Sequence, residues 1–89
     1  MDKAPVWKFP AVIDICQVSL YMSVFDRLAH NERMVFDMND IEDIHSSFIG
    51  FLVFCKERLG KSGGQLDLEL SPYLKHTLTF LGMGEYFSV

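Results

Sequence analysis

The chain has 89 residues, enough for one domain with its own core but close to the size where folding alone becomes difficult. Apolar residues make up 49% of it and charged residues 22%, a balance typical of folded proteins and not of disordered ones. A net charge of -4 argues against a broad nucleic-acid surface, which needs clustered Lys and Arg to meet phosphates.

The opening "MDKAPVWKFP" has no cationic segment followed by an apolar core, so it does not read as a secretory signal. Residues 1–5 read as a tail and residues 6–89 as the domain. Val6–Phe9 is a short strand stopped by Pro10. Asp14 has the character of an N-cap, with Gln17 three positions on in a box-like arrangement. Ile15, Val18, Met22, Phe25 and Leu28 recur at helical spacing, which predicts a helix to about Ala29.

"HNER" (His30–Arg33) is a polar turn, and Met34–Met38 is the next strand. Its mostly apolar character suits burial on both faces. An acidic loop, Asp37–Asp43, leads to the double serine Ser46 and Ser47. Phe48, Phe51, Leu52, Cys55 and Leu59 then trace one helical face, and Gly60 is the expected stop. "GKSGG" (Gly60–Gly64) turns the chain, and "QLDLEL" (Gln65–Leu70) alternates in strand fashion. Ser71 caps a last helix with Pro72 at its first position, where a missing amide hydrogen costs nothing. Leu74, Leu78 and Leu81 supply its inner face, and "LGMG" ends it. The order β-α-β-α-β-α predicts an α/β fold, with a small, mostly parallel or mixed sheet and helices packed on it.

Few residues suit chemistry. Cys16 and Cys55 both lie in apolar, helix-like contexts and are expected to be buried, reduced thiols, which fits a cytoplasmic protein. His30, His45 and His76 are scattered, with no metal-ligand spacing around them. The carboxylates of "DMNDIED" lack the alternation and glycine of a calcium loop and read as a solvated segment. Ser46, His45 and Asp43 can be written as a serine–histidine–acid set. However, neighbours in one turn rarely come into line, and no Gly-x-Ser-x-Gly elbow is present. No catalytic, metal or cofactor-binding residue is therefore expected. The apolar run Phe48–Cys55 is far too short to span a bilayer.

Two segments, in this order and at this separation, resemble the STAS domain, named for sulfate transporters and anti-sigma-factor antagonists. In that family a strand ending in an Asp-containing stretch leads to Asp-Ser-Ser-Gly-Leu-Gly at a helix start. "FDMNDIEDIHSSFIG" fits this pattern with Ser46 and Ser47 as the serines, Ile49 for Leu and Gly50 for the second Gly. The family's Ser-Pro, spaced leucines, Leu-Gly-Leu and late Phe are matched by "SPYLKHTLTFLGMGEYF". The resemblance covers nearly the whole chain from Val6. His45 stands where the family keeps Asp, Phe48 stands where it keeps the first Gly, and the family's N-terminal edge strand is reduced to a few residues.

The resemblance implies a regulatory binding module similar to stand-alone bacterial anti-sigma-factor antagonists. Its partners would be an anti-sigma-type serine kinase and a counteracting phosphatase, with the chain a monomer or weak homodimer. Ser46 takes the phosphate-acceptor position, with Ser47 the lesser candidate. Asp43, His45, Ser46, Ser47, Phe48 and Phe51 form the expected partner-binding set, with Phe48 the apolar residue expected to be exposed. On the residues alone, capping of the helix by either serine is the commoner role, and only the resemblance brings the acceptor reading of Ser46 level with it. An adaptor or structural subunit without a phospho-switch, for example in a membrane lipid transporter ATPase complex, is the other reading. His45 and Phe48 are the features that favour it.

Overall fold

The starts of two helices follow from local hydrogen bonding that the sequence announces. In the computed structural model, which describes residues 4–28 and 33–89, the first helix α1 (Ile15–Leu28) starts from a capping box. The Gln17 amide donates to Asp14 Oδ1 at 2.9 Å, and the Asp14 amide donates to Gln17 Oε1 at 2.8 Å. Likewise Ser71 Oγ accepts the Leu74 amide at 3.1 Å and opens α3 (Pro72–Phe80) with Pro72 in the first turn. Residues 1–3 of the expected tail, the helix end at Ala29, the turn residues His30–Glu32 and the Leu28 side chain lie outside the described residues.

Three strands form one parallel sheet in the order β1 (Val6–Lys8), β3 (Arg33–Met38), β5 (Gln65–Leu70). Trp7 lies opposite Phe36, and Phe36 opposite Leu68, so these side chains share one face. A second, two-stranded parallel ladder joins β2 (Val12–Ile13) to β4 (Asp43–Ile44). Neither short strand stands out in the sequence. The long central helix α2 (Ser47–Lys61) follows β4 directly.

The strand Met34–Met38, extended by Arg33, is not buried on both faces as its composition suggests. Met34, Phe36 and Met38 are buried, whereas Arg33 is exposed and Val35 and Asp37 are only partly covered. The reason lies in the winding. Strands added in sequential order through parallel crossovers place their helices on one side of the sheet. The other side carries a polar lattice instead. Arg33 holds Asp67 at 2.6 Å, Gln65 bonds Asp67 at 2.7 Å, and Asn39 reaches Glu69 at 2.9 Å.

The covered face carries one core, rich in rings. Phe9, Phe25, Phe36, Phe48 and Phe51 are fully buried, together with Leu52, Leu59, Leu74 and Leu78. Phe36 and Phe51 stack with centroids 6.1 Å apart, and Trp7 stacks on Phe9 at 4.8 Å. Arg58 pairs with Asp26 to tie α2 to α1, and the Tyr86 hydroxyl donates to Glu57 at 2.5 Å, tying the C-terminal segment to α2.

Three sequence expectations change in the helices. In α1 the inner residues are Val18, Tyr21 and Phe25, while Ile15 and Met22 are exposed. Apolar residues occur all round this helix, so periodicity alone picks the wrong stripe. In α3 Leu74 and Leu78 are buried but Leu81, its cap residue, is exposed. Gly60 does not stop α2. The stop is Gly63 at φ 80°, with the Gly64 amide bonded back to the Leu59 carbonyl at 2.7 Å and the Gly63 amide to Gly60 at 3.2 Å.

Candidate functional site

The approach to α2 is tied down by backbone. The Ala11 carbonyl accepts the amides of Glu42 at 2.7 Å and Asp43 at 3.2 Å, and the Ile13 carbonyl accepts the His45 amide at 2.8 Å. The β2–β4 ladder thus carries the chain, residue by residue, to the mouth of the helix. That mouth lies at the C-terminal end of a parallel sheet, the end where α/β proteins usually place their functional loops.

His45, and not a serine, caps the helix. The Ser47 amide donates to His45 Nδ1 at 3.1 Å, and Ser47 Oγ lies 2.8 Å from the same nitrogen. The Phe48 amide bonds the His45 carbonyl at 2.9 Å, and the Ile49 amide bonds the Ser46 carbonyl at 3.1 Å. These bonds satisfy the amides that a helix start leaves without intrahelical partners. Ser46 already has helical angles, φ -56° and ψ -28°, and its side chain makes no capping hydrogen bond. Ser46 is therefore exposed, with no hydroxyl partner among the described residues, while Ser47 is half-buried and engaged by His45. A search for the usual caps (Ser, Thr, Asp, Asn) passes over a histidine, which is why sequence reasoning missed this role.

Phe48 and Phe51, expected in the partner-binding set, belong to the core. Phe48 is 0% exposed and Phe51 2%. The Phe48 ring packs against Phe9 at 5.5 Å and against Phe51 at 5.6 Å. The inward orientation lets this ring fill core space and leaves the backbone outside uncovered. The exposed set is Asp43, His45 and Ser46, with Ser47 partly covered. Along α2, Ser46 is followed by the exposed Gly50, where nothing lies within 4 Å of an added Cβ, and by Ile49 and Val53, which are partly buried against the core.

Carboxylates surround the entrance in sequence and are partly engaged in space. Asp40 pairs with Lys8 at 3.5 Å. Asp37 Oδ1 accepts the Asn39 backbone amide at 3.2 Å and its side-chain amide at 2.8 Å, and these bonds hold the Asp37 carboxyl below its ordinary range. Glu42 and Asp43 are exposed. A shallow groove between this loop and the start of α3 is lined by Asn39, Asp40, Glu42, Ser71 and Tyr73. Among the described residues, no three His, Cys, Asp or Glu side chains converge as metal ligands, and no helix is long and apolar enough to cross a membrane.

The remaining candidates separate. The His45 ring meets Ser47, so the Ser46–His45–Asp43 set does not form a relay through Ser46. Cys55 is buried, but Cys16 is exposed on the outer side of α1, contrary to expectation. His76 is exposed on α3, and His30 lies outside the described residues.

The class defined by these features is a small α/β protein whose described residues form three helices and a parallel sheet covered on one face, with an exposed serine at a braced helix start. Comparison with protein-family models, curated proteins and solved structures finds no match.

Proposed function

We propose that this chain is a regulatory protein-binding module of the STAS kind, similar to anti-sigma-factor antagonists, whose partner binding is controlled by phosphate on Ser46. The observation that carries the reading is the free, exposed Ser46 hydroxyl on a backbone held by the Ile13–His45 bond. The exposed Gly50 one turn on leaves the helix backbone open to a partner beside it.

The local charges favour a mark that releases a partner. A phosphate adds about -1.5 to -2 charges at neutral pH. The amides of Ser47, Phe48 and Ile49 already have acceptors, so the phosphate gains little from the helix start. Glu42 and Asp43, shortly upstream, add like charge. The added charge then weakens docking by a few kcal/mol at most, while no catalytic residue is required of this chain. The partners under this reading are an anti-sigma-type serine kinase, which adds the phosphate, and a phosphatase that removes it. Binding the kinase sequesters it from its other client, a sigma factor.

The adaptor reading drew on His45 and Phe48. Both residues have structural duties, one as cap and one in the core, and both leave Ser46 open. The switch is therefore preferred. The test is to recover the protein from its native host, map phosphate, and measure partner binding for Ser46→Ala and Ser46→Asp. Phosphate on Ser46, with Ser46→Asp bound about 10-fold or more weakly, is expected. Absence of phosphate, with both variants binding as the wild type does, would favour the adaptor.

A further inference from the structure

The Ser47 hydroxyl has a partner that Ser46 lacks. Ser47 Oγ and the Ser47 amide both lie within hydrogen-bond reach of His45 Nδ1, at 2.8 Å and 3.1 Å. A peptide N–H can only donate, so Nδ1 must present its lone pair, and the neutral ring carries its proton on Nε2. It follows that the hydroxyl is the donor in the shorter contact. The Ser47 O–H is aimed at an unprotonated imidazole nitrogen, the arrangement that activates a serine nucleophile.

Two further features make the pair usable. His45 is anchored on both sides, by its own amide on the Ile13 carbonyl and by the Phe48 amide on its carbonyl, so its ring is presented from a fixed backbone. Ser47 is only half-buried and can be reached from solvent.

We propose that Ser47 is a phosphoryl acceptor in its own right, with His45 as the base that takes its proton. The proposal rests on the reading above only for the donor, a nucleoside triphosphate held by a partner kinase. In the step, Ser47 Oγ forms a bond to the γ-phosphorus and the hydroxyl proton passes to His45 Nδ1, whose lone pair then no longer accepts the Ser47 amide. The bond from that phosphorus to the bridging oxygen breaks, and the nucleoside diphosphate leaves with its electron pair. Among the described residues, no such base is hydrogen-bonded to Ser46, which depends on one supplied by the kinase.

The pair can be tested without the kinase, using diisopropyl fluorophosphate, which transfers its phosphoryl group to an activated serine with loss of fluoride. Peptide mapping should place the adduct on Ser47 in the wild type and in Ser46→Ala. His45→Asn retains an oxygen able to accept the Ser47 amide but cannot take the proton, and should slow labelling roughly 100-fold with circular dichroism unchanged. An adduct on another residue, or an equal rate in His45→Asn, overturns the proposal.

The cellular arm maps phosphate on wild type and Ser46→Ala recovered from the native host, with Ser47 phosphate expected in both. Phosphate on Ser46 but never on Ser47 overturns this proposal and leaves the Ser46 switch intact. Phosphate confined to Ser47 supports it and removes the Ser46 switch. Phosphate on neither serine overturns both.

Discussion

The Phe48 ring stands edge-on to Phe9, with 5.5 Å between centroids and 71° between planes. Phe9 directly follows β1 and Phe48 is the second residue of α2, so the contact locks the start of the helix to the first strand. Such geometry adds roughly 0.5–1.5 kcal/mol to the burial of the rings themselves. Phe48→Ala should therefore cost about 3–5 kcal/mol of stability, measured by urea unfolding. Any loss of partner binding should follow the unfolded fraction. A fully folded Phe48→Ala that no longer binds would return this side chain to the interface.

Arg33 and Asp67 make the strongest polar contact on the open side of the sheet, through Nε at 2.7 Å and Nη2 at 2.6 Å. The Arg33 hydrogen bond, and after it the Gln65 amide, hold the Asp67 carboxyl below its ordinary value. A carboxyl lowered on folding stabilises the native state above its unfolded-state value. That stabilisation is lost as pH falls through the folded-state value. Because the pair is solvent-exposed, its worth is about 1 kcal/mol or less. Asp67→Asn should be slightly less stable at about pH 7. Its stability should also fall less steeply than the wild type's from about pH 4 downward, since the mutated site no longer titrates. Equal slopes in urea titrations across that acid range would show that the pair contributes nothing.

The two thiols should react very differently. Cys16 is exposed, whereas Cys55 is buried and desolvation pushes its thiol well above the usual range. Iodoacetamide should modify Cys16 in the native protein and reach Cys55 only when denaturant is added. Mass spectrometry of the two peptides over time checks this. Native-state labelling of Cys55 at a rate near that of Cys16 would mean that the α2 side of the core opens locally.

What could be read from the sequence was local. The Asp14–Gln17 box and the Ser71–Pro72 start each depend on residues a few positions apart, and both form. What was hidden depends on partners far along the chain. Val12–Ile13 becomes a strand only because Asp43–Ile44 lies beside it, and two residues carry no periodicity of their own. The open side of the sheet had a visible trace, since Asp67 and Glu69 alternate with leucines and pair with Val35 and Asp37. That alternation spoke for one buried face, but the apolar weight of Met34–Met38 obscured it. At the start of α2, the double serine was visible in the sequence and the histidine cap was not. Phe48 was misplaced because its position near the helix start suggested exposure, whereas an adjacent aromatic core had room for it.

The end of α2 gives a last test, in which two glycines three residues apart should respond oppositely. Gly60 lies within the helix and has nothing within 4 Å of an added Cβ. Replacing it with alanine removes backbone freedom from the unfolded chain without strain, so Gly60→Ala should stabilise by roughly 0.5–1 kcal/mol. Gly63 has equally open surroundings but a φ of 80°. There the cost is purely one of backbone conformation, and Gly63→Ala should destabilise by about 1–2 kcal/mol. Thermal or urea unfolding of the two variants reads both signs. If Gly60 were the stop, as its place after Leu59 suggests, the signs would be reversed. The observed geometry requires the Gly63 position to carry the left-handed turn, because that turn brings the Gly64 amide back to the Leu59 carbonyl.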